Sequence, residues 1–262
     1  MEEQIIKHSN KIVIKIGSST ITSDDGSIDK EFLDNLANQV KSLMDIGKRI
    51  VIVSSGARIA GVGTLGKWSR KEDIHYKQAL CAIGQVELMD AYRRIFNNYG
   101  LHIGQLLITR EDFESKARTL NIRNTLFTLL DEGVVPIINE NDTVCVDEIK
   151  IGDNDMLAAY TTVLWGADLL MILSDIEGIY DKNPKENKEA KLIKIIRNID
   201  EIEGSISIGS KSSFGTGGIA TKILAAKEVT RYGADLIVAK GKTQNIIIDL
   251  LNGEAEGTVF LS

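Results

Sequence analysis

The chain is poor in residues that cross-link, kink or ligate. It has two cysteines among 262 residues, Cys81 and Cys145. They are too few and too isolated for a disulfide framework or a zinc site, and they read as two buried thiols in a reducing compartment. There are two prolines, Pro136 and Pro184, and no Pro/Ser-rich stretch marks a linker. One continuous unit is expected, of a size for one large α/β domain or two closely fused lobes. The three histidines, His8, His75 and His102, are scattered and belong to none of the polar clusters described below. Net positive charge is missing too: the balance of −6 argues against a nucleic-acid surface. No apolar run approaches the ~20 residues of a membrane span. The N-terminus MEEQIIKHSN carries acids where a secretory signal carries bases, so a cytoplasmic protein with no membrane partner is expected.

What is present is a rhythm. Short Val/Ile/Leu-rich runs at 11–15, 50–53, 103–108, 134–139, 169–174, 235–239 and 258–261 read as strands covered on both faces. Between them, 29–46, 76–98, 117–131, 154–165 and 217–232 carry apolar residues at helical spacing. Gly47, Gly100, Gly133, Gly166 and Gly233 stand where C-terminal caps are wanted. Alternation of this kind predicts an α/β protein with a mostly parallel central sheet and right-handed crossovers. Ligands in such sheets lie beyond the carboxyl ends of the strands.

The polar residues of interest follow those strands. Lys15 precedes the turn KIGSST, where Gly17 lets backbone N–H groups approach an anion; alone, the segment equally describes a lysine before an ordinary turn. Gly56 and Ala57 open a helix whose positive end suits a carboxylate or phosphate, and Ser55 adds a donor; a plain N-capped helix fits these residues as well. INENDT (138–143) and GDND (152–155) gather Asn139, Asn141, Asp142, Asp153, Asn154 and Asp155, a set that suits an amino-acid ligand. Solvated turns use the same residue types. Asp155, at a helix start, is either a cap or a group that orients the two lysines. Ser174 and Asp175 end the most apolar strand, a place to hold adenine or ribose. GTGGIATK then offers Thr216, Gly217, Gly218, Ile219, Ala220, Thr221 and Lys222 to a polyphosphate, without the GxxxxGK[ST] of a P-loop. Two lysines beside NH-rich backbone, with amide and acid clusters between them, point to phosphoryl transfer onto a small polar acceptor. The segment 200–216, rich in Ser and Gly, is a candidate lid or a plain surface loop.

KIGSST, SSGARIAG, GQLLITRED, LNIRNTL, VPIINENDTV, EIKIGDND, LSDIEGIYDKNP and GTGGIATK, in this order, resemble the amino acid kinase family, and within it the members that act on glutamate. The resemblance runs from about Lys11 to Leu261. It implies a three-layer αβα sandwich, with an acceptor-binding lobe over about 1–165 and an ATP-binding lobe over about 166–262. It implies that MgATP donates a phosphoryl group to the side-chain carboxylate of L-glutamate, the first step of proline biosynthesis, with magnesium carried by ATP. Ser55, Asp142 and Asn154, with Asn139, Gly56 and Ala57 in support, match acceptor contacts. Lys15 and Lys222 match the lysines that stabilise the transferring group, and Asp155 the aspartate that organises them. Ser174, Asp175 and Thr216 to Lys222 match ATP-binding segments; Ser174 replaces a threonine often found there. Many members carry a further PUA domain of RNA-binding type, and none is expected here because the chain stops where the kinase domain would end. Proline as feedback inhibitor, a homodimer or homotetramer, and docking to glutamate-5-semialdehyde dehydrogenase are further implications. The alternatives are a sibling kinase acting on N-acetylglutamate, aspartate, carbamate or UMP, and a catalytically silent amino-acid sensor.

Overall fold

A computed structural model describes residues 8–67, 69–70, 72–145, 154–184, 186–202 and 218–262. Its centre is an eight-stranded sheet formed by β1 (Lys11–Ile16), β2 (Arg49–Ser54), β3 (Ile103–Ile108), β4 (Val135–Glu140), β5 (Leu169–Ser174), β6 (Ile195–Ile196), β7 (Asp235–Lys240) and β8 (Thr258–Phe260). The order across the sheet is β3-β4-β2-β1-β5-β7-β8-β6. All neighbours are parallel except β7 and β8, which run antiparallel with Ile237 opposite Val259. Strand β1 lies between β2 and β5, so the chain leaves it first to one side and later to the other. That is the topological switch at which a crevice opens beyond the strand ends.

Helices cover both faces of the sheet. α1 (Ser18–Ile21) is a single turn, and α2 (Lys30–Asp45), α3 (Ala57–Leu65) and α4 (Ile74–Asn97) follow in the first half. α5 (Arg110–Glu114), α6 (Lys116–Asp131), α7 (Asp155–Trp165), α8 (Gly218–Arg231) and α9 (Ile246–Asn252) complete the set among the described residues. Caps fix several of the starts. Asp29 accepts from Phe32 N at 3.0 Å, and Asp73 accepts from His75 N and Tyr76 N. The five glycines expected as C-terminal caps all have positive φ.

Strand alternation divides the core in two, because successive side chains point to opposite faces. Ile12, Ile14, Ile16, Ile50, Ile52 and Ile137 pack with α2, α4 and α9 through Leu36, Leu88, Tyr92, Phe96 and Ile247. Val13, Val51, Val53, Ile138, Leu170 and Ile172 pack with α6, α7 and α8 through Leu126, Leu157, Trp165, Ile223 and Val229. This parity decides where the polar strand ends point. Lys15 shares the face of Val13, towards α7 and α8, whereas Ser54 and Asn139 share the face of Ile52 and Ile137, towards α4.

Several expectations need adjustment. The short β6 and the helices α5 and α9 were not anticipated. Cys81 is buried, but Cys145 is only half-buried, and neither forms a disulfide. His8, His75 and His102 are exposed. The proposed lid at 200–216 falls almost wholly outside the described residues, as do Asp153, Thr216 and Gly217. Among the described residues no helix is long and apolar enough to cross a membrane.

Candidate active site

At the switch point the two lysines meet one carboxylate. Lys15 Nζ lies 2.7 Å from Asp155 Oδ1, and Lys222 Nζ lies 3.1 Å from Asp155 Oδ2. The sequence builds this in three steps. Parity sends Lys15 to the α7/α8 face. Asp155 is the first residue of α7, where the helix dipole favours a negative charge. Lys222 sits in the second turn of α8 and folds back towards its start, donating to Gly218 O at 3.0 Å. Thr221 Oγ1 also donates to Asp155 Oδ2, at 3.1 Å. Asp155 is 0% exposed, Lys15 5% and Lys222 4%. Two ammoniums on one carboxylate leave the triad with net positive charge in a buried place. Such a charge is costly unless something anionic comes to it.

A second network lies on the other face. Asn154 precedes α7 but does not cap it with its side chain. Its Nδ2 instead donates to Ser54 O and to Asn139 Oδ1, both at 2.8 Å. Asn139 Oδ1 also accepts from Glu140 N at 2.9 Å, and Asn139 Nδ2 donates to Gln85 Oε1 at 2.8 Å. Tyr92 OH donates to Ser54 Oγ at 3.1 Å from below, and burial pushes its phenol well above the usual range. Among the described residues Asn154 Oδ1 and Gln85 Nε2 are buried with no hydrogen-bond partner.

Asp142 closes this side. Burial pushes its carboxyl up to about 6, opposed by a hydrogen bond from the Cys81 thiol and by the nearby Arg58 guanidinium. The loop that carries it is tied to α4 through Gln78 Nε2, which donates to Asp142 O at 3.2 Å. Between α4, the edge strand β3 and this loop lies a cleft of about 450 Å³, lined in part by Cys81, Gln85, Met89, Gln105, Leu107 and Asp142. None of the lysine triad lines it.

Ser55 and Ala57 are buried beside these groups, and Gly56 starts α3 with φ 97°, a left-handed conformation that suits glycine. A Cβ there would also stand 2.7 Å from Ile21 Cγ2. Ser174 ends β5 and donates to Asp175 Oδ1 at 3.0 Å, on the α8 side of the crevice. Gly218, Ile219, Ala220 and Thr221 form the first turn of α8. Reasoning from sequence thus missed four α4 and α3 residues that reach Asn139 or Asp142: Gln78, Cys81, Gln85 and Arg58. The spacing of Gln78, Cys81 and Gln85, three and then four residues apart, was the available signal, since it places them on one helix face.

Among the described residues no group of three or more His, Cys, Asp or Glu side chains is placed to hold a metal ion. The arrangement sets two ammoniums on one face and a network of amides and a carboxylate on the other, chemistry suited to an anion and to a small polar molecule. A family model described as the amino acid kinase family matches residues 10–240, and the chain belongs to that family. Among its relatives, the glutamate 5-kinase of Alkaliphilus metalliredigens is 63% identical over 260 residues, covering 99% of this chain and 98% of that one. The glutamate 5-kinase of Alkaliphilus oremlandii is 59% identical, covering 99% of each. Similar solved structures include UMP kinase from Ureaplasma parvum, with a TM-score of 0.68 at 18% identity, covering 97% of this chain and 100% of that one. Carbamate kinase from Giardia lamblia bound to AMP-PNP gives 0.67 at 15%, covering 97% and 99%. At those identities the structural likeness speaks for the fold alone.

Proposed function

We propose that the chain transfers the γ-phosphoryl group of MgATP to the side-chain carboxylate of L-glutamate, giving L-glutamyl 5-phosphate, the first step of proline biosynthesis. The observation that carries this is the buried Lys15–Asp155–Lys222 triad, net positive and set at the switch point of the sheet. High identity to glutamate 5-kinases over nearly the full chain supports the choice of acceptor.

The chemistry follows from charge. A carboxylate acceptor is already ionised near neutral pH and needs no general base, which fits a site of lysines and amides. The obstacle is repulsion between the acceptor and the triphosphate. As an acceptor oxygen bonds to the γ-phosphorus and the bond to the bridging oxygen breaks, charge moves to the ADP leaving group. Lys15 and Lys222, fixed in advance by Asp155, neutralise that charge without reorganising. Asp142 and the amide oxygen of Asn154, steadied by Asn139, take the acceptor's ammonium, while Ser55 and the N–H groups at Gly56 and Ala57 take its α-carboxylate. Ser174, Asp175 and residues 216 to 222 hold the nucleotide.

The acceptor groups come from β2, β4 and the start of α7, and the nucleotide groups from β5 and α8. That supports two lobes meeting near residue 165. Feedback inhibition by proline, assembly into dimers or tetramers, docking of glutamate-5-semialdehyde dehydrogenase and a cytoplasmic location complete the reading, on the strength of family membership. The test is ATP turnover with Mg²⁺ and L-glutamate, trapping the acyl phosphate as a hydroxamate. Aspartate, N-acetylglutamate and UMP run in parallel, with and without proline. Hydroxamate from glutamate alone is expected. Turnover only with another acceptor overturns the acceptor assignment, and glutamate binding without turnover overturns the catalytic one.

A further inference from the structure

We propose that Gln85 of α4 is a positioning residue for acceptor recognition: it locks the orientation of a chain of amides that ends at the buried acceptor atom Asn154 Oδ1. The inference rests on the proposed function, because it takes Asn154 and Asn139 as part of the glutamate-binding side.

Backbone groups set the direction of the chain. Glu140 N–H donates to Asn139 Oδ1 at 2.9 Å, so that atom is the oxygen and the other end of the amide is the NH₂. Ser54 C=O accepts from Asn154 Nδ2 at 2.8 Å, which fixes the second amide in the same way. Asn139 Oδ1 then takes the remaining Asn154 hydrogen at 2.8 Å, and Asn139 Nδ2 must find an acceptor of its own. Gln85 Oε1 supplies it at 2.8 Å.

With both Asn154 hydrogens engaged, only its Oδ1 remains, buried and without a partner among the described residues. An acceptor in that position is satisfied by a donor, and the donor that glutamate brings is its ammonium. Asn139 is 1% exposed and Asn154 0%, so water offers little substitute if the chain slackens.

The helix that carries Gln85 is held independently of the amides. Its neighbour Gly84 packs directly on α3, where an added Cβ would stand 1.7 Å from Ala57 O, so α4 has almost no freedom to slide at this point. One turn earlier Cys81 reaches Asp142, and Gln78 holds the backbone of the same loop. The helix therefore carries the acceptor loop on three side chains of one face. Gln85 alone among them touches the amides. Removing its oxygen leaves Asn139 Nδ2 buried without an acceptor, and the amide relaxes by turning away from Asn154.

The test uses the full chain and steady-state hydroxamate kinetics. Gln85→Met, close in shape but with no acceptor, is expected to raise KM for glutamate roughly tenfold or more, as for loss of a buried hydrogen-bond partner. KM for ATP stays within about twofold, since the lysine triad lies on the other face of the sheet. Gln85→Glu, which keeps an oxygen where Asn139 needs one, is expected to recover most of that loss. Equal changes in both KM values, or no recovery with Gln85→Glu, would reduce Gln85 to a packing residue and overturn the inference. If the methionine variant does not fold, Gln85→Asn, one methylene too short to reach Asn139, is read by the same criteria. An unaltered chain that turns over a different acceptor refutes the proposed substrate, and the KM split for that acceptor then decides the role of Gln85. An unaltered chain that neither binds nor phosphorylates any of the acceptors refutes both.

Discussion

Replacing Gly84 by alanine sets two effects against each other, and the structure says which is larger. In an exposed helix the change stabilises by about 0.5–1 kcal/mol, because alanine loses less backbone freedom on folding. In α4 the new Cβ would sit 1.7 Å from Ala57 O and 2.4 Å from Gly61 N. An ordinary carbon–oxygen contact is about 3.3 Å or more, so the two helices would have to part by roughly 1.5 Å. Both obstructing atoms are backbone within or at the start of α3, so no side-chain rotation relieves the clash. Overpacking a core costs about 1–3 kcal/mol even where side chains can adjust, and the upper end applies here. After subtracting the propensity gain, a net loss of about 2 kcal/mol remains, or roughly 4–8 °C in Tm for a domain near this size. Calorimetric melting of the two proteins measures it directly. The same displacement moves the start of α3, so KM for glutamate should rise together with the loss of stability. A Tm equal to or above that of the unaltered chain would show that the crossing is loose, and the positioning argument for α4 would fall with it.

Other expectations concern charge. Lys222→Ala should lower kcat by roughly 10²–10³-fold, the usual cost of removing one preorganised stabilising group, with the melting curve little changed. Asp155→Asn should behave differently: it leaves two buried ammoniums facing each other and should cost about 3–5 kcal/mol of stability in addition to turnover, read by urea unfolding. Removing a lysine leaves a neutral pair, so a stability loss with Lys222→Ala as large as with Asp155→Asn would contradict the charge argument. Asp142 gives a pH signature. Its carboxyl is raised from 3.8 to about 6, so between those values the folded chain holds a proton that the unfolded chain has released. Its contribution to stability is therefore full below the lower value and is lost as pH rises through the upper one. Under the proposed function glutamate binding runs the other way, with the ammonium drawn to an ionised Asp142: kcat/KM for glutamate should climb up to about pH 6 and level off above it. Asp142→Asn should remove that inflection and raise KM.

Much of this architecture could be read from the chain, and the failures have definite causes. The runs that became β1, β2, β4, β5 and β7 are covered on both faces, so their apolar content is continuous and easy to see. The two-residue β6 and the antiparallel sense of β8 depend on pairing across long connections and leave no local signal. Lys15, Asp155 and Lys222 stood out because the two lysines border glycine-rich turns beside apolar runs and Asp155 belongs to an amide and acid cluster between them. Their convergence on one carboxylate followed only from sheet order, which no local pattern contains. The α4 contacts were illegible for another reason. Gln78, Cys81 and Gln85 lie on a helix whose apolar spacing looks like ordinary packing, and their spacing shows that they share a face but not what that face meets. Asn154 was read as an acceptor contact, but its bond to Ser54 O joins residues far apart in the chain and leaves no local signal.

The placement of Lys15 has a consequence for how the protein is made. Lys15 is synthesised before its partners, and its strand lies in the middle of the sheet. The partner Asp155 and both flanking strands are synthesised later, and Lys222 later still. Until α7 docks, Lys15 lacks the carboxylate it pairs with in the finished fold, so early burial of that strand is less favourable. The centre of the sheet should therefore close late in synthesis, after the segment beyond residue 155 has emerged. Nascent chains that stop before α8 would then hold neither a finished core nor Lys222.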